Sequence, residues 1–107
     1  MIRGAVYPVD LGDAKGGHEQ RGRRLGLVMS IGQNAWSTVT IIPASTSAQA
    51  SVFRPEAIIA GRSTRILIDR IRTIDVSYVT GELVDYLARG DMAEVDHTLS
   101  RYLGLIR

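Results

Sequence analysis

Two apolar, β-branched runs constrain this chain more than any other feature: Leu25 to Ile31 and Thr38 to Pro43, separated by Gly32-Gln33-Asn34. A strand that covers a core with one face alternates apolar and polar residues, whereas runs as densely apolar as these imply burial on both faces. They read as the central strands of a sheet covered from both sides. Shorter strands flank them. Ala5 to Val9 alternates and runs out into the turn-rich Asp10-Leu11-Gly12-Asp13. Ser51 to Arg54 reads as a fourth strand ended by Pro55. Thr64 to Ile68 and Arg70 to Ile74 mix charge with isoleucine, placing arginines on one face and isoleucines on the other. Leu83 to Leu87 supplies a last strand.

The C-terminal segment changes period. Met92, Val95, Leu99, Tyr102, Leu103 and Ile106 follow one helical face, with Gly104 placed to end the turn, so a helix is expected from Arg89 to Leu103. Glu94, Asp96, His97 and Arg101 fall off the stripe and should meet solvent, which makes His97 a surface residue rather than a ligand. The pattern is mainly β with a C-terminal helix. It predicts a small, strongly curled antiparallel sheet, a partly open barrel closed by that helix.

With 107 residues, the chain is expected to form one domain over 1–107, small enough that dimerisation would help stabilise it. No stretch approaches the roughly 18 uninterrupted apolar residues of a membrane span. The absence of cysteine rules out a disulfide framework and a thiolate metal site, and Met1-Ile2-Arg3-Gly4 lacks the apolar core of a signal peptide. A cytoplasmic location is expected.

The chemistry concentrates in Gly16-Gly17-His18-Glu19-Gln20-Arg21-Gly22-Arg23-Arg24, between two strands. Glycines let backbone approach a ligand closely, and the arginine fork suits bidentate pairing with phosphate. The net charge is only +2, so placement matters more than total. Arg21, Arg23 and Arg24, with Arg3 near the same end of the chain, form a candidate basic patch for a polyanion. Trp36 can stack on a base or cover a core edge or subunit interface.

These residues also carry a resemblance. Arg3-Gly4, Val9-Asp10-Leu11-Gly12 and Gly17-His18-Glu19-Gln20-Arg21-Gly22-Arg23-Arg24 are similar to the RG, VDL and GxEQxGxRP signatures that open MazF/PemK-type toxins. Pro43-Ala44-Ser45-Thr46 resembles the family's proline-x-threonine turn, Asp69 to Asp75 its EQIRTID segment, and Met92 to Leu105 its terminal helix. The match spans almost the whole chain, with its motifs in the right order. It departs from the pattern at Leu25 for proline, Ser45 for threonine, Arg70 for glutamine and Asp85 for glycine.

The resemblance implies an SH3-like small barrel of the CcdB/PemK type, forming a homodimer and partnered by a MazE-like antitoxin. It implies a metal-independent, cofactor-free endoribonuclease on single-stranded RNA, in which the ribose 2′-hydroxyl attacks the adjacent phosphate. The products would carry 2′,3′-cyclic phosphate and 5′-hydroxyl ends. Arg24 matches the catalytic arginine and can stabilise the phosphorane; a guanidinium is a poor base at neutral pH, so any proton transfer by it is inherited from the family. Ser45 matches the catalytic threonine, and Thr46 could replace it if the turn is shifted by one. Each could equally be a turn hydroxyl bonded to its own backbone. Glu19 could orient Arg24 or accept a proton. His18, Gln20 and Arg21 fall in the RNA-touching loop, and Asp69 and Arg70 at the family's substrate-contacting pair. Two other classes fit the same barrel: a noncatalytic CcdB-like toxin acting on a protein such as DNA gyrase, and a degenerate homologue that only binds antitoxin.

Overall fold

The computed structural model describes residues 1–12, 23–31 and 37–106. Most of the two dense apolar runs forms β2 (Arg23–Val28) and β3 (Thr38–Ser45), which pair antiparallel from Leu25 opposite Ala44 to Val28 opposite Ile41. Met29 to Ile31, expected in the first run's strand, fall outside it, and Ile31 is exposed. On the other side of β2 lies β1 (Ala5–Asp10), with Val9 opposite Arg24. As expected, these strands are buried on both faces. Val6, Leu27 and Ile42 enter one core with Ile59, Ile66 and Val95, while Ala5, Val9, Val28 and Ile41 enter a second with Val39 and Ile74.

The outer edge of β3 is shared. Its C-terminal end pairs with β5 (Arg62–Ile66) through Ala44 and Ser45, and its N-terminal half pairs with β6 (Arg72–Asp75) through Thr38 to Ile41. A 3₁₀ turn at Ile68–Arg70 separates β5 from β6. That break shifts the two expected strands: both are real, but Leu67, Ile68, Arg70 and Ile71 belong to the connection. The seven-stranded sheet runs from β4 (Glu56–Ile59) through β5, β3, β2 and β1 to β7 (Asp85–Tyr86), with β6 beside β3.

The expected strand at Ser51 to Arg54 is a turn, closed by Arg54 N–H donating to Ser51 O at 3.0 Å. The strand is β4 (Glu56–Ile59), immediately after Pro55. It pairs with β5 across Ala60-Gly61, whose φ angles of 51° and 79° are both positive, as in a type I′ hairpin turn. Proline here opens the strand instead of ending it.

The two sheet edges meet at a seam. β7 (Asp85–Tyr86) lies on β1, and its Asp85 carboxylate accepts from Ala60 N–H at 2.8 Å. Asp91 of the helix α1 (Arg89–Tyr102) accepts from Ile58 N–H at 3.2 Å. Side chains thus close a nearly complete barrel where no main-chain ladder does.

α1 buries Val95 and Thr98, packs Met92 and Leu99 against the first core, and stacks Tyr102 edge-on to Phe53 at 5.0 Å. Gly104, at φ 74°, ends it as expected, with Leu105 N–H donating to Ser100 O at 2.8 Å. Leu103 and Ile106, expected on the buried stripe, are exposed. Asp96 is not left to solvent either: it is half-buried and pairs with both ends of the Arg3 guanidinium, whose Nε donates to Met29 O at 3.0 Å. Arg3, just before β1, therefore ties the N-terminal segment to α1, and its charge is met by a carboxylate instead of being free for a basic patch. His97 is exposed, as its position predicts.

The strap from Val79 to Val84 follows β1, with Thr80 N–H donating to Pro8 O and Val84 N–H to Val6 O. A Cβ on Gly81 would stand 2.7 Å from Pro8 Cγ, inside any tolerable contact. Gly81→Ala is expected to destabilise the protein by about 1–3 kcal/mol through that overpacking, read as a lower midpoint in urea unfolding.

Candidate functional site

A cleft of about 310 Å³ opens where β1, β2, β3 and β5 come together. Pro8 contributes from β1, Arg24 and Leu25 from β2, and Ala44 and Ser45 from β3, with Thr46 and Ser47 just beyond it. Arg62 and Thr64 of β5 complete the lining. Among the described residues the wall holds two guanidinium groups and four hydroxyls, and none of those residues is acidic. A second cleft of about 340 Å³ carries both Asp10 and Arg72, so its charges balance.

Arg24 is half-buried, opposite Val9 in the β1–β2 ladder. Its Nε is shielded from solvent and meets no hydrogen-bond partner among the described residues. A buried donor left without an acceptor costs about 1–3 kcal/mol. An anion in the cleft can supply the acceptor that this Nε lacks among the described residues.

Ser45 is buried, and its Oγ accepts from Ser47 N–H at 3.1 Å and lies 3.3 Å from Ser47 Oγ. This is a turn hydroxyl bonded to nearby backbone, yet its own proton remains available to donate. Thr46 lines the same cleft and is exposed. The structure therefore brings Arg24, Ser45 and Thr46 together.

It does not bring Asp69 and Arg70 to them within one protomer. Both lie in the 3₁₀ turn, where Asp69 accepts from Arg54 Nε and Nη2, each at 3.0 Å. Arg70 Nε stands 3.8 Å from the same carboxylate. Hydrogen bonds from Arg54 hold the Asp69 carboxyl below its ordinary value, outweighing the opposing effect of burial. His18, Glu19, Gln20 and Arg21 lie outside the described residues, as does Trp36.

Arg62 and Thr64 line the cleft although neither stood out in sequence. The available signal was Ala60-Gly61 between Glu56–Ile59 and Arg62–Ile66, a two-residue hairpin loop. Beginning the strand at Thr64 left Arg62 outside it.

A profile of PemK-like, MazF-like toxins of type II toxin–antitoxin systems matches residues 2–103. A protein of Mycobacterium tuberculosis named as a toxin is 61% identical over 105 residues, covering 98% of this chain and 99% of the relative. The chain belongs to the PemK/MazF-like toxin family. The MazF structure from Deinococcus radiodurans superposes with a TM-score of 0.80 at 26% identity, over 97% of this chain and 96% of that one. An endoribonuclease from a mycobacterial species, solved with its cognate antitoxin, superposes with a TM-score of 0.77 at 20% identity, over 100% and 98%. The first-named fold expectation, a curled MazF-like barrel with a terminal helix, is thus met. Among the described residues no helix is long and apolar enough to cross a membrane.

The Arg54–Asp69 pair has a pH signature. Because the Asp69 pKa is lowered on folding, its contribution is present above the unfolded carboxyl value and is lost as pH falls through the folded one. Asp69→Asn is expected to cost about 1–2 kcal/mol at pH 7. The gap between parent and variant in urea titrations should close as pH falls below about 4.

Proposed function

We propose that this toxin is a metal-independent, sequence-specific endoribonuclease that cuts single-stranded RNA by attack of the 2′-hydroxyl on the adjacent phosphate. Products are a 2′,3′-cyclic phosphate and a 5′-hydroxyl end. The observation that carries this reading is Arg24: a half-buried guanidinium without a carboxylate partner among the described residues, in a cleft of hydroxyls and arginine. Membership of the toxin family and an endoribonuclease among the structural neighbours support it.

In-line attack places extra negative charge on the phosphorane, and a fixed cation stabilises it more than the ground state. Arg24 supplies that charge, and Ser45, or Thr46 beside it, donates to a nonbridging oxygen. Because the nucleophile belongs to the substrate, no water need be activated. Glu19 orients Arg24 or accepts a proton, while His18, Gln20 and Arg21 contact the RNA. Asp69 and Arg70 serve RNA beyond the cleft, with Asp69 also bracing Arg54. The enzyme works as a cytoplasmic homodimer, and a MazE-like antitoxin silences it by laying an acidic segment along the basic groove.

The test is purified protein in EDTA on a long single-stranded RNA, with cut ends mapped. Discrete cuts with 5′-hydroxyl ends are expected, and Arg24→Ala should lower the rate by about 10²–10³. Ser45→Ala should slow cleavage, with Thr46→Ala distinguishing the two hydroxyls. No cleavage by folded parent protein across diverse RNAs would overturn the reading in favour of a noncatalytic toxin.

A further inference from the structure

Among the described residues some arginines around the barrel are neutralised by carboxylates, whereas others, Arg72, Arg89 and Arg101 among them, are not. Arg3 pairs with Asp96, Arg54 with Asp69, and Arg65 with Glu56 at 2.8 Å. The two that face the cleft, Arg24 and Arg62, have no carboxylate within 4.0 Å among the described residues. β5 shows the contrast within one strand. Its Ser63 and Arg65 share Glu56, through Ser63 Oγ at 2.7 Å and Arg65 Nη2. Arg62 and Thr64, alternating with them, line the cleft, which has no acid among its described residues.

Arg62 is also held in place at its backbone. It closes the hairpin opposite Ile59, and its carbonyl accepts from Thr64 Oγ1 at 3.0 Å. The adjoining turn is pinned by the Asp85 carboxylate on Ala60 N–H. A cation mounted on a braced hairpin tip, in the same cleft as Arg24, can engage an anion at the ordering cost of its own side chain alone, the backbone being already fixed. Like charges placed together, with no acid among the described residues of the lining, favour an anion as their complement.

We infer that Arg62 is a second phosphate-binding residue, holding a nonbridging oxygen of the backbone phosphate next to the one that Arg24 engages. This rests on the ribonuclease reading. Arg62 binds and positions the strand; it takes no part in bond making or breaking.

The test measures fluorescence anisotropy of a labelled 12-nucleotide, randomised 2′-O-methyl RNA, which binds but cannot be cut, across a salt series. Arg62→Ala is expected to weaken binding about three- to tenfold near physiological salt, and to reduce the slope of log K against log salt by about 0.7, one single-strand phosphate contact. Arg62→Lys should keep the slope, since the charge remains. Arg101→Ala removes an exposed charge outside the cleft and serves as the control. An equal loss in Arg101→Ala, or unchanged affinity and slope in Arg62→Ala confirmed as folded by thermal denaturation, overturns the assignment. A cleavage assay in EDTA separates the two readings. A parent that binds through Arg62 but never cuts defeats the nuclease alone, and a parent that cuts with Arg62-independent binding defeats Arg62 alone.

Discussion

β3 is the member on which the rest of the barrel depends. One edge is given wholly to β2, and the other is divided between β5 and β6 because a 3₁₀ turn interrupts the returning chain. A side-chain period of two means that slipping any of these pairings by one residue would turn apolar groups out of both cores at once. The same register delivers Ser45 to the end of β3 and sets β5, with Arg62 and Thr64, against it. Packing that holds the fold together is therefore also what assembles the cleft.

Charge is distributed with a similar economy. Carboxylates accompany the arginines that brace the outside of the barrel, linking the N-terminal segment to α1, the Arg54 turn to the 3₁₀ segment, and β4 to β5. Among the described residues the cleft wall is left without them, although the chain as a whole is nearly balanced. A partly buried cation such as Arg24 is screened less than an exposed one, so a nearly balanced chain can still present local charge.

Much of this was legible in the residues. Density of apolar, β-branched side chains identified β2 and β3 and their double burial, since few other arrangements consume so much apolar surface. The 3.6-residue spacing identified α1. The failures have local causes. Pro55 was read as an ending when proline equally suits the beginning of an edge strand, so Ser51–Arg54 took the place of β4. Arg3 and Asp96 are separated by most of the chain, and no periodicity foretells that the two ends will meet. Of the site, Arg24 and Ser45 stood out through motif, whereas Arg62 enters only through the hairpin that carries it.

The seam bears on how this protein behaves in a crowded solution. A free strand edge offers a row of donors and acceptors on which a foreign strand can grow, the starting point of intermolecular sheets. Along β4 and at the turn that follows it, two outward N–H groups, those of Ile58 and Ala60, are already occupied by carboxylates fixed on α1 and β7. An arriving chain would have to displace both and strand two anions beside its own carbonyl oxygens. The clasp that rounds off the barrel therefore doubles as a guard against self-templated assembly, and leaves the molecule free to associate through other surfaces.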